Sequence, residues 1–259
     1  SQPAYNFDWL YVGGEQRSGT TAEALNQVPV RQAIGYAVDR TQITETAYFG
    51  YATPDDDMLT KEFAEPLVEF TDAEEFDLDI FPLEADPGQA QSLLEEAGYT
   101  DLDLEITHRP QASETRAVQV MQQNLNAVDA ISTVSLNQLD AATFANVERE
   151  GDYDILYSSL ASLSPDYEQI INYYLPEGDL NSMGFSDEEI TQQIRDSRLE
   201  TDRETRMEIF RSMFENMVER GPWTYICHTT DANVFSANSD ADRDSFSPLA
   251  GYLDLTDAY

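Results

Sequence analysis

Covalent catalysis needs a nucleophile beside a base, and this chain offers one pair to consider. Its single cysteine, Cys227, adjoins His228, one of two histidines. Neighbouring residues on a strand point to opposite faces, so Cys227 and His228 read as structural and not as a dyad. There is no Gly-x-Ser-x-Gly, no phosphate-binding Walker loop and no His-Glu-x-x-His. His108 and His228 alone cannot furnish a histidine-rich metal centre, so neither a metal nor a cofactor is expected. Segment 240–251 opens like a calcium loop with Asp240, Asp242 and Asp244. It then carries Ser245 where the sharp turn needs glycine and Gly251 where a bidentate glutamate belongs. With 50 Asp plus Glu in the chain, no carboxylate pair stands out.

The residue that does stand out is Arg109. Residues 102–107 alternate as a strand, and Arg109-Pro110 follows its carboxyl end before the helical spacing of 112–127 begins. Ligands of open α/β sheets bind outside the carboxyl ends of strands. A guanidinium there offers a planar two-donor fork to a carboxylate, which lysine cannot copy. Arg109 is therefore expected either to face a cleft and meet an anionic group or to pair on the surface with one of the many acids.

The background makes that cation unusual. The 259 residues carry 14 Lys plus Arg and a formal net charge of −36, and Lys61 is the sole lysine. Dense acids with almost no lysine resemble proteins of salt-loving organisms, where salt screens the repulsion. Such a surface argues against nucleic acid and anionic lipid as partners. Hydrophobic residues at 41% allow a real core. One cysteine excludes an internal disulfide, and no apolar run approaches the roughly 20 residues that span a bilayer. The chain begins Ser-Gln-Pro without Met or a signal sequence, and reads as processed or cut from something larger.

Elements alternate along the chain. A strand at 5–12 and a Gly/Ser/Thr-rich loop precede a helix at 28–38. Asp39 with Gln42, and Asp86-Pro87 with Gln89, have capping-box spacing, with Gly98 closing the second of these helices. Residues 51–85 read as a long surface excursion. Strands at 102–107, 131–137 and 153–158 alternate with helices at 112–127, 139–150 and 165–174. Two more helices open on Ser186/Glu189 and Thr201/Glu204. The second bears a core stripe of Ile209, Phe210, Met213, Phe214, Met217 and Val218. Strands near 223–228, 231–235 and 249–255 finish the chain. This alternation predicts an α/β fold with a mixed central sheet flanked by helices.

"VRQAIGYAVDRTQITETAYFGYATP" (30–54) followed by "DPGQAQSLLEEAGY" (86–99) resembles the extracellular solute-binding proteins, family 5, that feed peptide-type ABC transporters. The Arg-Pro pair, "DYDILYSS" (152–159) and "RGPWTYICHTT" (220–230) extend the resemblance along the chain. It implies a type II periplasmic-binding-protein-like lobe, the C-terminal half of a two-lobed receptor. Residues 10–229 would be the second ligand-binding lobe, with 1–9 and 230–259 strands of the first. The hinge would run through Trp9, Tyr11, His228 and Thr230. By the same resemblance Arg109 clamps a ligand carboxylate, with Arg116 at a later basic position. Ser158 stands where the family often has Trp, Gly13 where it has a strand-end Asn, and Ala161 where an Asp holds the ligand's amine. The set expected at the ligand is Arg109, Ser158, Ser159, Ala161 and Asp166, with Asp166 the replacement for the lost amine anchor. Implied partners are a small peptide or related solute, the permease subunits and the missing N-terminal lobe, at the extracellular face of the membrane. A stand-alone α/β enzyme is the alternative.

Overall fold

The computed structural model describes residues 2–57, 78–161, 168–231, 246–247 and 252–253. Six strands make one mixed sheet: β1 (Gln2–Val12), β2 (Ala52–Pro54), β3 (Leu102–His108), β4 (Ile131–Gln138), β5 (Ile155–Ala161) and β6 (Trp223–Asp231). Their spatial order is β2-β6-β1-β5-β3-β4. β3 runs parallel to β4 and β5, while β1 is antiparallel to both β5 and β6. A two-stranded pair, β7 (Phe246–Ser247) and β8 (Tyr252–Leu253), stands apart.

The sheet carries a core on each face, the second confined to β1, β5 and β6, and the chain fills them in sequence. Helices α1 (Thr20–Leu25), α2 (Val28–Ala37), α3 (Arg40–Tyr48), α4 (Pro87–Glu96) and α5 (Ala112–Leu125) contribute to one core. Helices α6 (Ala141–Glu150), α7 (Glu168–Tyr174), α8 (Glu188–Leu199) and α9 (Arg203–Arg220) contribute to the other. Two-residue alternation on β1 feeds both: Leu10 and Val12 enter the first core, Phe7, Trp9 and Tyr11 the second. The second core is aromatic, with Trp9 stacked on Trp223 at 4.8 Å and 16°. The expected stripe on α9 is there: Phe210, Met213, Phe214, Met217 and Val218 are buried, and Ile209 is half-buried.

Capping follows short-range chemistry. Asp39 and Asp86 accept from the Gln42 and Gln89 amides as expected, and Gly98 takes φ +86° just past α4. The boxes at Ser186 and Thr201 are corrected by one residue. Asp187 accepts from the Glu189 and Ile190 amides, and Asp202 from that of Thr205. In both places a carboxylate next in line takes the orphan amides.

Two further expectations change. β6 runs past the expected 223–228 as far as Asp231 because it pairs with β1 along nearly its whole length, and residues 232–235 of the next expected strand lie outside the described residues. A register shift between Asp8 and Trp9 leaves Ile226 without a partner, and Ile226 and Cys227 both enter the first core. The described ends of the 51–85 excursion are surface only in part: Tyr51 and Leu83 are exposed, but the chain turns inward between them. Asp56 and Asp57 are buried, and the Phe81 amide donates to Asp56 at 2.6 Å. The calcium-like loop, apart from Phe246 and Ser247, and Asp166 lie outside the described residues. No helix among the described residues is long and apolar enough to cross a membrane.

Candidate functional site

β3 and β5 run in parallel side by side, so the residue leaving β3 arrives beside the second half of β5. That places Arg109 next to Ser159, and its Nη2 donates to the serine Oγ at 2.8 Å. The same guanidinium meets Glu114 Oε1 at 2.6 Å and lies 5.1 Å from the Phe144 ring centroid. The Arg109 amide donates to Glu114 Oε2 at 2.9 Å, so one carboxylate in the first turn of α5 holds both backbone and side chain. Arg109 is thereby fixed, with 22% of its side chain exposed against 4% for Glu114.

Three acids surround this one cation. Ser158 is buried and donates to Glu148 Oε1 at 2.9 Å. Burial pushes the Glu148 carboxyl up, opposed by the Ser158 hydrogen bond and the Arg109 charge. Asp8 sits opposite Ser159 in the β1–β5 register, 3% exposed, and accepts from Tyr157 Oη at 2.6 Å and from Tyr48 Oη. Burial raises its carboxyl above the ordinary 3.8, against the two tyrosine hydrogen bonds.

The folded state therefore holds the Asp8 proton more tightly than the unfolded chain does. Its contribution is complete below about pH 4 and is lost as pH rises through the folded pKa. Asp8→Asn keeps an oxygen for both tyrosines and cannot ionise. Its thermal midpoint, followed from pH 4 to 8, should fall less steeply than the wild type's and be no lower at neutral pH. Equal slopes would contradict this assignment.

Of the expected residues, Arg109, Ser158 and Ser159 come together. Ala161 ends β5 opposite Asn6, and Thr230 pairs with Pro3 near the outer end of β1. Trp9 and Tyr11, expected at a hinge, lie in the aromatic core at 1% and 2% exposure. A register shift between Pro3 and Asn6, facing Thr229 and Thr230, marks where the β1–β6 ladder becomes irregular. Arg116 donates to the Ala47 carbonyl at 2.8 Å and packs against Phe49. Gly13 is a turn residue at φ +85°. Cys227 and His228 do face apart: Cys227 is in the first core, its thiol pushed up by burial, and His228 lies 6.2 Å from the Phe7 ring on the other face. No nucleophile–base pair forms there.

Sequence reasoning missed Asp8, Glu114, Phe144 and Glu148. Glu114 alone left a trace, an acid in the first helical turn five residues after Arg109. The arrangement suits binding: a braced cation, a serine hydroxyl and an aromatic face at the end of a sheet.

Comparison with known proteins agrees. The chain is 22% identical over 232 residues to the glutathione-binding protein GsiB of Pectobacterium atrosepticum, covering 85% of this chain and 42% of that one. It superposes on the ABC transporter substrate-binding protein CtaP of Listeria monocytogenes with a TM-score of 0.80 at 19% identity, covering 98% of this chain and 50% of that one. AgaA of A. tumefaciens R10, solved with agropinic acid, gives 0.72 at 25% identity, covering 86% and 44%. The chain thus spans about half the length of these relatives, and its fold is that of a type II periplasmic-binding-protein lobe. The model of the bacterial extracellular solute-binding proteins, family 5 Middle, matches residues 4–182, well over half of the chain, and the chain belongs to that family.

Proposed function

We propose that this chain is the C-terminal lobe of the substrate-binding component of a peptide-type ABC transporter. It captures a small peptide or related solute outside the cell and delivers it to permease subunits, performing no covalent chemistry. The observation that carries this reading is Arg109, braced by Glu114 and Ser159 beyond the carboxyl end of β3. Family membership supports the transport role, and relatives named for glutathione and agropinic acid support a small solute. An N-terminal lobe would supply the second wall of the cleft and a lipid anchor would tether the whole. The strands at 1–9 and 230–259 would belong to that first lobe, with the hinge near His228–Thr230 and the matching stretch of β1. The charge of −36 with one lysine suits work at high ionic strength. The enzyme alternative gains nothing from Cys227 and His228, which face opposite sides of the sheet.

Arg109 would take the solute's carboxylate. Ala161 offers no amine anchor, so the carboxylate end should matter more than a free amino end. In the full-length protein, Arg109→Ala should weaken binding of a free-carboxylate ligand about tenfold or more, at least 1.4 kcal/mol. It should leave the amidated ligand nearly unaffected. Calorimetry on both ligands decides: equal binding of both by mutant and wild type would leave Arg109 as Glu114's partner only.

A further inference from the structure

We infer that Asp55, Asp57 and His228 form a binding site for a first-row divalent transition-metal ion where β2 leaves the edge of β6. β2 pairs Thr53 with His228, and the Asp55 amide then donates to the Ile226 carbonyl at 3.1 Å. This carries Asp55 and Asp57 along β6 to the His228 ring. One donor atom from each residue lies within 4.8 Å of the others. His228 Nε2 and Asp55 Oδ2 are 3.2 Å apart. That is the spacing two donors take around one ion with bonds of about 2.0–2.1 Å. Closing the remaining donor onto the ion takes a side-chain adjustment of at most about 1.5 Å on the same bond lengths.

The imidazole is the second, independent observation. His228 is 7% exposed, and its Nε2 is shut off from solvent without a hydrogen bond. Asp55 is at contact distance yet off the line of a donated N–H. A buried imidazole nitrogen aimed among carboxylates without a hydrogen bond is poised to give its lone pair to a cation. The local charge agrees. Asp55, Asp56 and Asp57 are consecutive, Asp56 and Asp57 are buried, and the neighbouring Arg40 guanidinium feels Asp56 and Asp55. One guanidinium against three carboxylates leaves negative charge beside the imidazole.

Donor chemistry chooses the ion. Carboxylates alone would suit calcium or magnesium, whereas imidazole favours zinc, nickel and their neighbours. Three protein donors leave a position for water on the side of Asp55, whose side chain is 26% exposed. A bound ion would tie the exit of β2 to β6, next to the irregular end of the β1–β6 ladder.

The test uses this chain in molar potassium chloride, which suppresses diffuse binding to surface acids. Zinc titrated by calorimetry should fill one saturable site, at least tenfold tighter than calcium. His228→Gln and Asp55→Asn should each weaken zinc at least tenfold while keeping the metal-free thermal midpoint near wild type. The chain has only two histidines, so imidazole NMR gives a reading without mutation: His228 resonances should shift with zinc while His108 resonances stay. Zinc bound equally by His228→Gln, zinc no tighter than calcium, or both or neither histidine shifting would each overturn the site.

Discussion

Lowering potassium chloride from 1 M to 0.1 M is expected to lower the thermal midpoint of this chain by about 10 °C or more. The Debye length grows from about 3 Å to about 10 Å over that range, so carboxylates that ignored one another begin to repel. The chain cannot answer with cations. Arg17 already bridges Glu105 and Asp152, Arg109 holds Glu114, and Arg220 spans Asp187 and Glu189. Several acids meet other acids: Asp154 is raised first by burial and further by Glu105 and Asp152. Close like-charge pairs cost about 1 kcal/mol each even in water. Each 1 kcal/mol moves the midpoint of a chain this long by roughly 2–4 °C. Sodium chloride should substitute for potassium chloride, because screening depends on ionic strength. A midpoint that does not move with salt would show that these repulsions are already relieved in the fold.

Arg40→Met is expected to cost at least about 3 kcal/mol of folding stability, since each orphaned buried acceptor costs about 1–3 kcal/mol. Arg40 is completely buried and donates from Nε to the Tyr225 carbonyl at 2.8 Å. From Nη1 it reaches the Gly35 and Pro82 carbonyls, both at 3.0 Å, and the Val38 carbonyl at 3.4 Å. One guanidinium thus joins α2, β6 and the segment before α4. Burial lowers its pKa to about 10, so it stays charged at neutral pH. Methionine fills much of the volume and removes the donor from four carbonyls. The same segment carries Phe81, packed so closely on Gly35 that an added Cβ would sit 2.9 Å from the ring, and loosening it should spread. Urea unfolding reads the loss as a lower midpoint at unchanged slope. Arg40→Lys should recover only part, because an ammonium lacks the planar spread that reaches all four carbonyls. A loss under about 1 kcal/mol would mean water replaces the guanidinium.

Much of the fold was legible because the deciding interactions are local. Asp39 and Asp86 cap their helices through amides three residues away, and side-chain periodicity marks α9 and β3. The same rule slipped at Asp187 and Asp202, where successive polar residues each qualify as a cap. The rule ranks side chains but cannot see which backbone turn leaves the helix axis. Asp56 and Asp57 in the 51–85 segment were misread for a related reason: an acid-rich run looks solvated, yet Asp56 is drawn inside by the Phe81 amide and the Arg40 charge.

The sequence by itself determined the α/β alternation, the surplus of negative charge and a lone arginine at a strand's carboxyl end. Resemblance to a family added the role expected of that arginine. Tertiary structure alone decided its partners. Glu114 rather than another of 50 acids holds Arg109 because the first turn of α5 returns to the end of β3. Ser159 joins it because β5 lies parallel beside β3. Asp55, Asp57 and His228 meet across more than 170 residues through the pairing of β2 with β6. Periodicity and capping act within a few residues and can be read along a line. A charge's partner is set by which surfaces the sheet order brings together, and a uniformly acidic composition gives every arginine many equally plausible partners until the chain has folded.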